Sequence, residues 1–297
     1  MDLDPLQLEA LLACVDEGTM EAAASRLDVT PSAISQRIRA LEQRWGRVLL
    51  QRTRPLTATT DGEPVVAAAR QLQLLTQQVR QQVHPRGAGW TPVPLAVNAD
   101  SLATWLDPVL AAVAQEGEIG LQLHVVDEDY SARLLQTGRV LGAVTASPVA
   151  VQGSSTVRLG AMRYLPVLHP RLVERHLPQG RGRPAVEQLQ ALPVVRFDEH
   201  DDLQLRVLRR LGVEQPDPPT HRVPSSHDFA CAVRLGLGWG ALPEEQAAEA
   251  LASGALVRLP GARPVEVTLH WQRWRLASPA LERVEEHLRR AAATHLH

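Results

Sequence analysis

The chain is 297 residues long, 44% of its residues are hydrophobic, and its formal net charge is −2. This length accommodates two or three compact units, and this composition excludes a disordered tail. The net charge argues against a protein that coats nucleic acid non-specifically, and no apolar run approaches the roughly 20 residues that a membrane span requires.

The two cysteines, Cys14 and Cys231, lie far apart and without cysteine or histidine neighbours at zinc-binding spacing. Cys14 lies among leucines, so we expect a buried thiol. The acidic start Met1–Pro5 lacks the layout of a signal peptide. We therefore expect a protein of the reducing cytoplasm with no metal site and no cofactor.

Two helices are predicted at the start of the chain. Asp4 and Pro5 are typical of the cap and first turn of a helix, a leucine-rich stripe follows at helical spacing, and Gly18 ends it. Thr19 then caps a short alanine-rich helix, and Asp28 with the following valine forms a turn.

A third helix begins at Thr30, and its apolar residues Ile34, Ile38 and Leu41 recur at inward spacing. Its remaining face carries short polar and arginine side chains that can contact phosphates and base edges in the major groove. The residues we expect to contact DNA from this segment are Thr30, Pro31, Ser32, Ser35, Gln36, Arg37 and Arg39.

Two short strands between residues 48 and 58 predict a wing, with Arg52 and Arg54 at its basic tip. These two arginines would contact the DNA backbone or the minor groove, and for either one alone a solvated surface charge is the alternative. Between residues 25 and 54 the chain has seven arginines against Asp28 and Glu42, an excess of five positive charges. The sequence contains no lysine, so each fixed positive charge is a guanidinium that can grip phosphate or guanine bidentately.

The segments 31–42 (PSAISQRIRALE) and 52–57 (RTRPLT) resemble the winged helix-turn-helix of LysR-type transcriptional regulators, and the resemblance continues over essentially the whole chain. It implies an α/β protein with a DNA-binding domain at 1–60, a linker (dimerisation) helix and hinge at 61–91, and an effector domain at 92–297. The effector domain would be two-lobed and similar to periplasmic binding proteins, with lobe I at 92–162 and 267–297 and lobe II at 163–266.

Thr60 to Glu63 has the spacing of a capping box, and a narrow apolar seam runs from Val65 to Val83. This pattern predicts a helix of about 20 residues that pairs with a second copy of the chain. The alternative is a helix that packs on its own domain. Residues 85–89 (PRGAG) then predict a hinge.

From residue 93 onward, strand and helix patterns alternate, which predicts a mostly parallel sheet with helices on both faces. Ligands of such folds bind at the carboxyl ends of strands. The candidate effector-binding residues at those ends are Asp100, Ser101, Asp127, Thr145, Asp198 and Asp228. Ser101 and the amides of its helix suit a carboxylate and the acids suit a cation, so a basic amino acid fits both. The alternative for each acid is a helix N-cap.

The segments 97–105, 126–129, 142–145 and 236–240 resemble the ArgP/LysG-type branch of the same family. That resemblance implies lysine- or arginine-responsive control of a basic amino-acid exporter gene. One departure is His227, which is not expected between Ser226 and Asp228 and could alter which effector fits.

Two other classes compete with this interpretation. An enzyme with an appended DNA-binding domain lacks support, because no nucleophile-elbow, zinc-protease or paired-cysteine motif is present. An effector-independent DNA-binding protein that inhibits replication initiation would ignore amino acids in a thermal-shift screen. We expect double-stranded promoter DNA, a small-molecule effector and a homodimer or homotetramer, and no membrane. RNA polymerase as a partner, and activation against repression, stay open.

Overall fold

The computed structural model of the chain describes residues 4–83, 90–177, 184–275 and 278–297, without the side chains of 77, 78, 80–83, 128 and 129. The predicted hinge at 85–89 lies outside the described residues. The side chain of Val83, at the end of the predicted seam, lies outside them too.

Three helices, a two-stranded sheet and a long helix form the N-terminal part of the chain. Their bounds are α1 (Pro5–Glu17), α2 (Met20–Arg26), α3 (Pro31–Trp45), β1 (Leu50–Gln51), β2 (Thr57–Ala58) and α4 (Gly62–Val83). The predicted caps of the first three helices are confirmed, because Asp4, Thr19 and Thr30 each accept a backbone N–H through the side chain. Gly18 ends α1 with a positive φ of 74°, as its position predicts.

The residue that caps the linker helix α4 lies one position before the predicted cap, Thr60. Thr59, not Thr60, caps it, since the N–H of Gly62 donates to Thr59 Oγ1 at 3.0 Å. Its first turns bury Val65 and Ala69 in the core of the N-terminal module. Farther along, Val79 is exposed. The helix therefore packs on its own domain at one end and presents an uncovered apolar side chain toward the other.

The C-terminal part alternates strands and helices. Its strands are β3 (Thr91–Val97), β4 (Ile119–Val125), β5 (Gly142–Thr145), β6 (Ser154–Leu168), β7 (Val194–Arg196), β8 (Thr220–Arg222), β9 (Gly240–Pro243), β10 (Val257–Arg258) and β11 (Val265–Trp274). Its helices are α5 (Ala99–Leu102), α6 (Asp107–Glu116), α7 (Glu128–Gln136), α8 (Pro170–His176), α9 (Val186–Ala191), α10 (Leu203–Arg210), α11 (Ser226–Arg234), α12 (Glu244–Ala252) and α13 (Pro279–His295). Of the helices within the described ranges, none combines the length and the apolarity needed to cross a bilayer.

The main sheet has the strand order β10-β6-β11-β5-β3-β4, and β9 also pairs with β6. The strands β3, β4 and β5 pair in parallel, whereas β6 and β11 pair antiparallel with each of their neighbours. The prediction of a mostly parallel sheet is therefore wrong. The reason is that the chain crosses between the two halves of the domain on β6 and returns on β11, which requires opposite directions.

The two crossing strands pair from Val265 opposite Tyr164 to Trp274 opposite Ser154. The lobe boundaries expected at 162/163 and 266/267 fall inside them, so the two halves share β6 and β11. One apolar core spans both halves, and it includes the fully buried indoles of Trp105, Trp239 and Trp271.

One predicted helix, over residues 101–114, is interrupted. Helix α5 ends at Leu102 and α6 starts at Asp107, with Pro108 in its first turn. Proline lacks the N–H that a continuous helix would use at that position, so the chain turns and begins a new helix there. The break leaves α5 as a single turn directly after β3, where it borders a cavity.

Candidate functional site

The helix α3 is fixed by local sequence signals at its start. The Thr30 side chain accepts the N–H of Ala33 at 3.2 Å and lies 2.9 Å from the Ser32 hydroxyl. Asp28 adopts a positive φ of 53°, which short polar side chains tolerate, and so closes the turn from α2. These contacts fix the residue at which α3 begins.

The apolar stripe of α3 is buried and its opposite face is open. Ile34, Ile38 and Leu41 pack into the core of the module. Every residue predicted to contact DNA from this helix is accessible: Thr30, Pro31, Ser32, Gln36 and Arg39 are exposed, and Ser35 and Arg37 are half-buried. The structure thus leaves these short polar and guanidinium side chains accessible to solvent.

The wing is attached to α3 by an acidic side chain. Glu42 Oε1 accepts the N–H groups of Leu49 at 3.0 Å and Leu50 at 3.3 Å, so the last turns of α3 hold the start of β1. The sequence analysis counted Glu42 only as a negative charge. Its position one turn before the end of a helix that leads into a strand is the signal that could have identified this role.

The tip of the wing carries the two predicted arginines. Arg52 and Arg54 are exposed between β1 and β2, whose register pairs Leu50 with Ala58. Within the described residues, no hydrogen bond or ion pair engages the guanidinium groups of Arg37, Arg39, Arg52 or Arg54. A surface with several unpaired guanidinium groups beside an exposed polar helix face can bind phosphates by releasing their counterions.

A second site is a cavity of about 520 Å³ where β3, β4 and β7 end. It lies between the two halves of the C-terminal domain, at the carboxyl ends of strands, where α/β sheets commonly bind ligands. Its lining residues are Asn98, Ala99, Asp100, Val125, Val126, Asp127, Phe197, Asp198, Asp201, Leu203, Gln204, Pro224, Ser226, Phe229, Ala241, Pro243 and Gln246. Four of these are aspartates, and none of these described residues is basic.

Three of the six candidate effector-binding residues, Asp100, Asp127 and Asp198, line this cavity. Two others are buried outside its lining: Ser101, whose N–H donates to Asn98 Oδ1 at 2.7 Å, and Thr145 at the end of β5. The sixth, Asp228, is exposed on the first turn of α11.

Adjacency in sequence to a cavity residue therefore does not by itself place a residue in the lining: Ala99 lines the cavity beside Asp100, whereas Ser101 does not. Residue His227, the departure from the family pattern, is exposed beside Ser226 and is absent from the lining.

Asp100 joins three separate segments of the chain. Its carboxylate accepts the Tyr164 hydroxyl at 2.9 Å and the Ser226 hydroxyl at 2.7 Å. Gln246 Nε2 in turn donates to Ser226 Oγ at 3.0 Å. Burial raises the pKa of Asp100, although these two hydrogen bonds oppose the change. Burial also raises the pKa of Tyr164 well above its ordinary value, with the neighbouring Asp100 charge as the next cause.

Three polar lining residues were missed by the sequence analysis: Asp201, Gln204 and Gln246. Asp201 accepts the N–H groups of Phe197 at 2.8 Å and Leu203 at 3.2 Å, and burial raises its pKa. The amide oxygens of Gln204 and Gln246 are buried without a hydrogen-bond partner among the described residues. Gln204 lies on the apolar side of α10, and a glutamine at such a position is the signal that could have found it.

Comparison with known proteins identifies the family. The family models for bacterial regulatory helix-turn-helix proteins of the lysR family and for the LysR substrate binding domain match residues 6–63 and 92–293. The chain is 45% identical to the lysine export transcriptional regulatory protein LysG of Corynebacterium efficiens, over 96% of each chain.

Two solved structures have the same fold over nearly the full length. ArgP from Mycobacterium tuberculosis matches with a TM-score of 0.91 at 40% identity, over 99% of each chain. Full-length LysG from Corynebacterium glutamicum with bound effector Arg matches with a TM-score of 0.83 at 41% identity, again over 99% of each chain. The chain therefore belongs to the LysR family of bacterial helix-turn-helix transcriptional regulators, which are not enzymes, in the branch that contains LysG and ArgP.

Proposed function

We propose that this regulator binds promoter DNA through α3 and the wing, and that L-arginine or L-lysine in the acidic cavity gates this binding. The DNA contacts are those of the exposed polar face of α3 together with Arg52 and Arg54. Since its target is chromosomal DNA, the regulator acts in the cytoplasm.

The observation that carries the effector proposal is the chemistry of the cavity lining. Four aspartates and two buried amide oxygens without partners face a space that lacks a basic side chain among its described lining residues. Asp100 and Asp201 are the two that are buried enough for their pKa to rise, whereas Asp127 is exposed. Buried carboxylates are costly unless they are paired, and an orphan acceptor favours a ligand that donates hydrogen bonds. An ammonium or guanidinium group supplies both the charge and the donors.

The carboxylate end of an amino acid needs a different partner. Helix α11 begins at Ser226, which lines the cavity. The first N–H groups of a helix have no partner within the helix and lie at its positive end, so they suit an anion. In α11 the Asp228 N–H already donates to the Ser225 side chain, which leaves the N–H groups of Ser226 and His227. We place the α-carboxylate of the effector there, in preference to the amide of Ser101, which already donates to Asn98.

The target gene and the assembly are proposed from similarity. The LysG of Corynebacterium efficiens is a lysine export regulator, and the LysG of Corynebacterium glutamicum was solved with Arg as effector. We propose a basic amino-acid exporter gene as the target here. The exposed Leu75 and Val79 of α4 are the proposed contact between copies in a homodimer or homotetramer, with RNA polymerase as a further partner.

Ligand-induced stabilisation tests the effector. L-Arginine or L-lysine at a hundredfold excess over its dissociation constant should stabilise the folded chain by about 2.7 kcal/mol, seen as a higher melting temperature. L-Citrulline and L-norleucine are the matched controls, because they keep the amino-acid backbone and remove the side-chain charge. An equal shift with citrulline, or none with either basic amino acid, would contradict a cation-selective cavity.

Gating is tested separately by mobility shift of a promoter fragment with and without the stabilising amino acid. We expect a change in apparent DNA affinity or in the complex formed. DNA binding that ignores every stabilising amino acid would instead support the effector-independent inhibitor of replication initiation.

A further inference from the structure

Helix α7 connects the acidic cavity to the DNA-binding module. At its start, the Asp127 carboxylate accepts the N–H of Tyr130 at 2.8 Å and lines the cavity. At its end, the carbonyl oxygen of Thr137 accepts the Arg70 guanidinium at 2.7 Å. The nine residues of α7 span about 14 Å, so a single short helix links the cavity to the Arg70 contact.

Arg70 joins three parts of the chain through one side chain. It lies on the linker helix α4, and besides Thr137 it binds the carboxylate of Asp16 on α1. Asp16 is also 3.3 Å from the guanidinium of Arg26 on α2. Since α1 and α2 both pack against α3, this ion-pair cluster is built on the two helices that hold α3.

Because Arg70 is buried, its hydrogen bond to Thr137 is sensitive to the position of α7. Arg70 is only 9% exposed, and desolvation lowers its pKa, while Asp16 opposes that change. A buried charge that loses one of its partners is strongly destabilised, because nothing replaces the lost hydrogen bond. A displacement of the end of α7 that breaks the Thr137 contact therefore changes the energy of the Arg70–Asp16 pair.

Gly138 follows α7 and lies beside α4. Its φ of +67° is a conformation that favours glycine, and a Cβ at that position would make an ordinary van der Waals contact, 3.5 Å from Arg70 Cβ. Among the described residues, the only ion pair between α4 and α7 is Arg133 with Glu63, at 3.9 Å and with Arg133 exposed. Exposed pairs contribute little, so the buried Arg70 contact dominates the connection.

We propose that α7 and Arg70 form the coupling element of this regulator, so that occupation of the cavity at Asp127 shifts α7 and changes how Arg70 holds α1. The inference rests on the proposed function, since it assumes an amino-acid effector. A cation that pairs with Asp127 acts on the residue that caps α7, and the opposite end of the same helix contacts the linker.

The test measures a coupling factor, which is the ratio of the DNA dissociation constants without and with the effector. The ligand is L-arginine or L-lysine, whichever the wild-type chain binds more tightly, and the DNA is a genomic fragment that the wild-type chain selects. The effector dissociation constants with and without DNA must give the same factor, which provides an internal check.

In Arg70→Met we expect the coupling factor to move toward one by about fivefold. Effector affinity without DNA and DNA affinity without effector should change by less than about threefold, because Arg70 contacts neither ligand. Arg133→Met, which removes the exposed pair between α7 and α4, is the matched control and should couple like the wild type. Should Arg70→Met not fold, Arg70→Lys keeps the charge beside Asp16 but lacks the fork that spans both partners, and it should also lose coupling.

The outcomes separate the two proposals. If the wild-type chain couples and folded Arg70→Met and Arg70→Lys couple equally well, the α7 connection is overturned while the effector proposal stands. If the wild-type factor is one although the amino acid binds, both are overturned.

Discussion

The proposed DNA-binding face and the acidic cavity carry opposite charges in opposite environments. Arg39, Arg52 and Arg54 are exposed to water, whereas Asp100 lies deep enough for burial to raise its pKa. Exposed charges are screened over a Debye length of about 10 Å at 0.1 M salt, and buried charges are screened much less. The arginine surface should therefore act through the number of its charges. The cavity should act through the hydrogen-bond partners of a few carboxylates.

This difference predicts different sensitivities. Each exposed arginine should contribute a small, salt-dependent share of the DNA affinity. In the cavity, one carboxylate with fixed hydrogen bonds to Tyr164 and Ser226 should dominate, and its effect should depend on protonation. Salt and pH are thus the two variables that distinguish the sites.

The largest expected effect is that of Asp100→Ala on effector binding. Removing one partner of a buried, hydrogen-bonded charge pair costs about 3 kcal/mol, on the order of 100-fold in the dissociation constant of L-arginine. Isothermal titration calorimetry measures this loss. The mobility shift of the free variant on DNA should match the wild type, because Asp100 lies on α5 and belongs neither to α3 nor to the wing.

Asp198→Ala is the matched control within the cavity. Its side chain is 37% exposed, so water screens its charge, and the loss of effector affinity should be several-fold smaller than for Asp100→Ala. The opposite ranking of the two variants would show that the effector's cation binds at the rim and not beside Tyr164.

The next effect concerns the wing. Two phosphate contacts account for a change of about 60-fold in DNA affinity between 1 M and 0.1 M salt. The double variant Arg52→Ala with Arg54→Ala should therefore flatten the slope of log K for DNA against log salt by about two. Fluorescence anisotropy across a salt series gives this slope. Arg209→Ala with Arg210→Ala, two exposed arginines of α10, is the matched control and should leave it unchanged.

Lysine at both wing positions sharpens that result. Arg52→Lys with Arg54→Lys keeps both charges, so the slope should be retained if the wing contacts only phosphates. A loss of affinity that depends on the base sequence would instead assign these arginines to the minor groove. An unchanged slope in the alanine pair would remove the wing from the DNA interface.

The winged helix could be predicted almost residue by residue because its signals are local. The caps Thr19 and Thr30, the turn at Asp28 and the stripe from Ile34 to Leu41 all lie within a few turns of one another. Glu42 was misjudged because its partners, Leu49 and Leu50, belong to the next element and the charge alone gives no direction.

The cavity could be predicted only in part, because distant segments assemble it. Asp100 and Asp127 follow strands, and that rule found them. The partner of Asp100 on α11, Ser226, lies 126 residues farther along the chain, and Tyr164 lies on a long strand that the sequence analysis did not anticipate. Adjacent residues such as Ser101 fail the rule, since one step along a helical turn moves a side chain from the cavity into the core.

The smallest expected effect is a pH dependence that belongs to the cavity alone. Because burial raises the pKa of Asp100 above its ordinary value of 3.8, the folded chain holds this proton more tightly than the unfolded chain. The contribution of Asp100 to the free energy of unfolding therefore falls as the pH rises from 3.8 through the pKa that Asp100 has in the folded chain. Burial changes the pKa of Asp201 in the same direction.

A cationic effector favours the ionised carboxylate, so its binding expels the proton within that window. The apparent affinity for L-arginine should rise with pH, by at most about tenfold per pH unit for one proton, and then level off. Calorimetry over a pH series measures the rise, and Asp100→Asn should retain only the part due to Asp201. DNA affinity of the effector-free chain should stay flat over the same range, because its guanidinium groups do not titrate there. If the DNA affinity of the effector-free chain instead changed with pH as the L-arginine affinity does, protonation of the cavity carboxylates would control DNA binding even without ligand. The charges of the two sites would then be coupled.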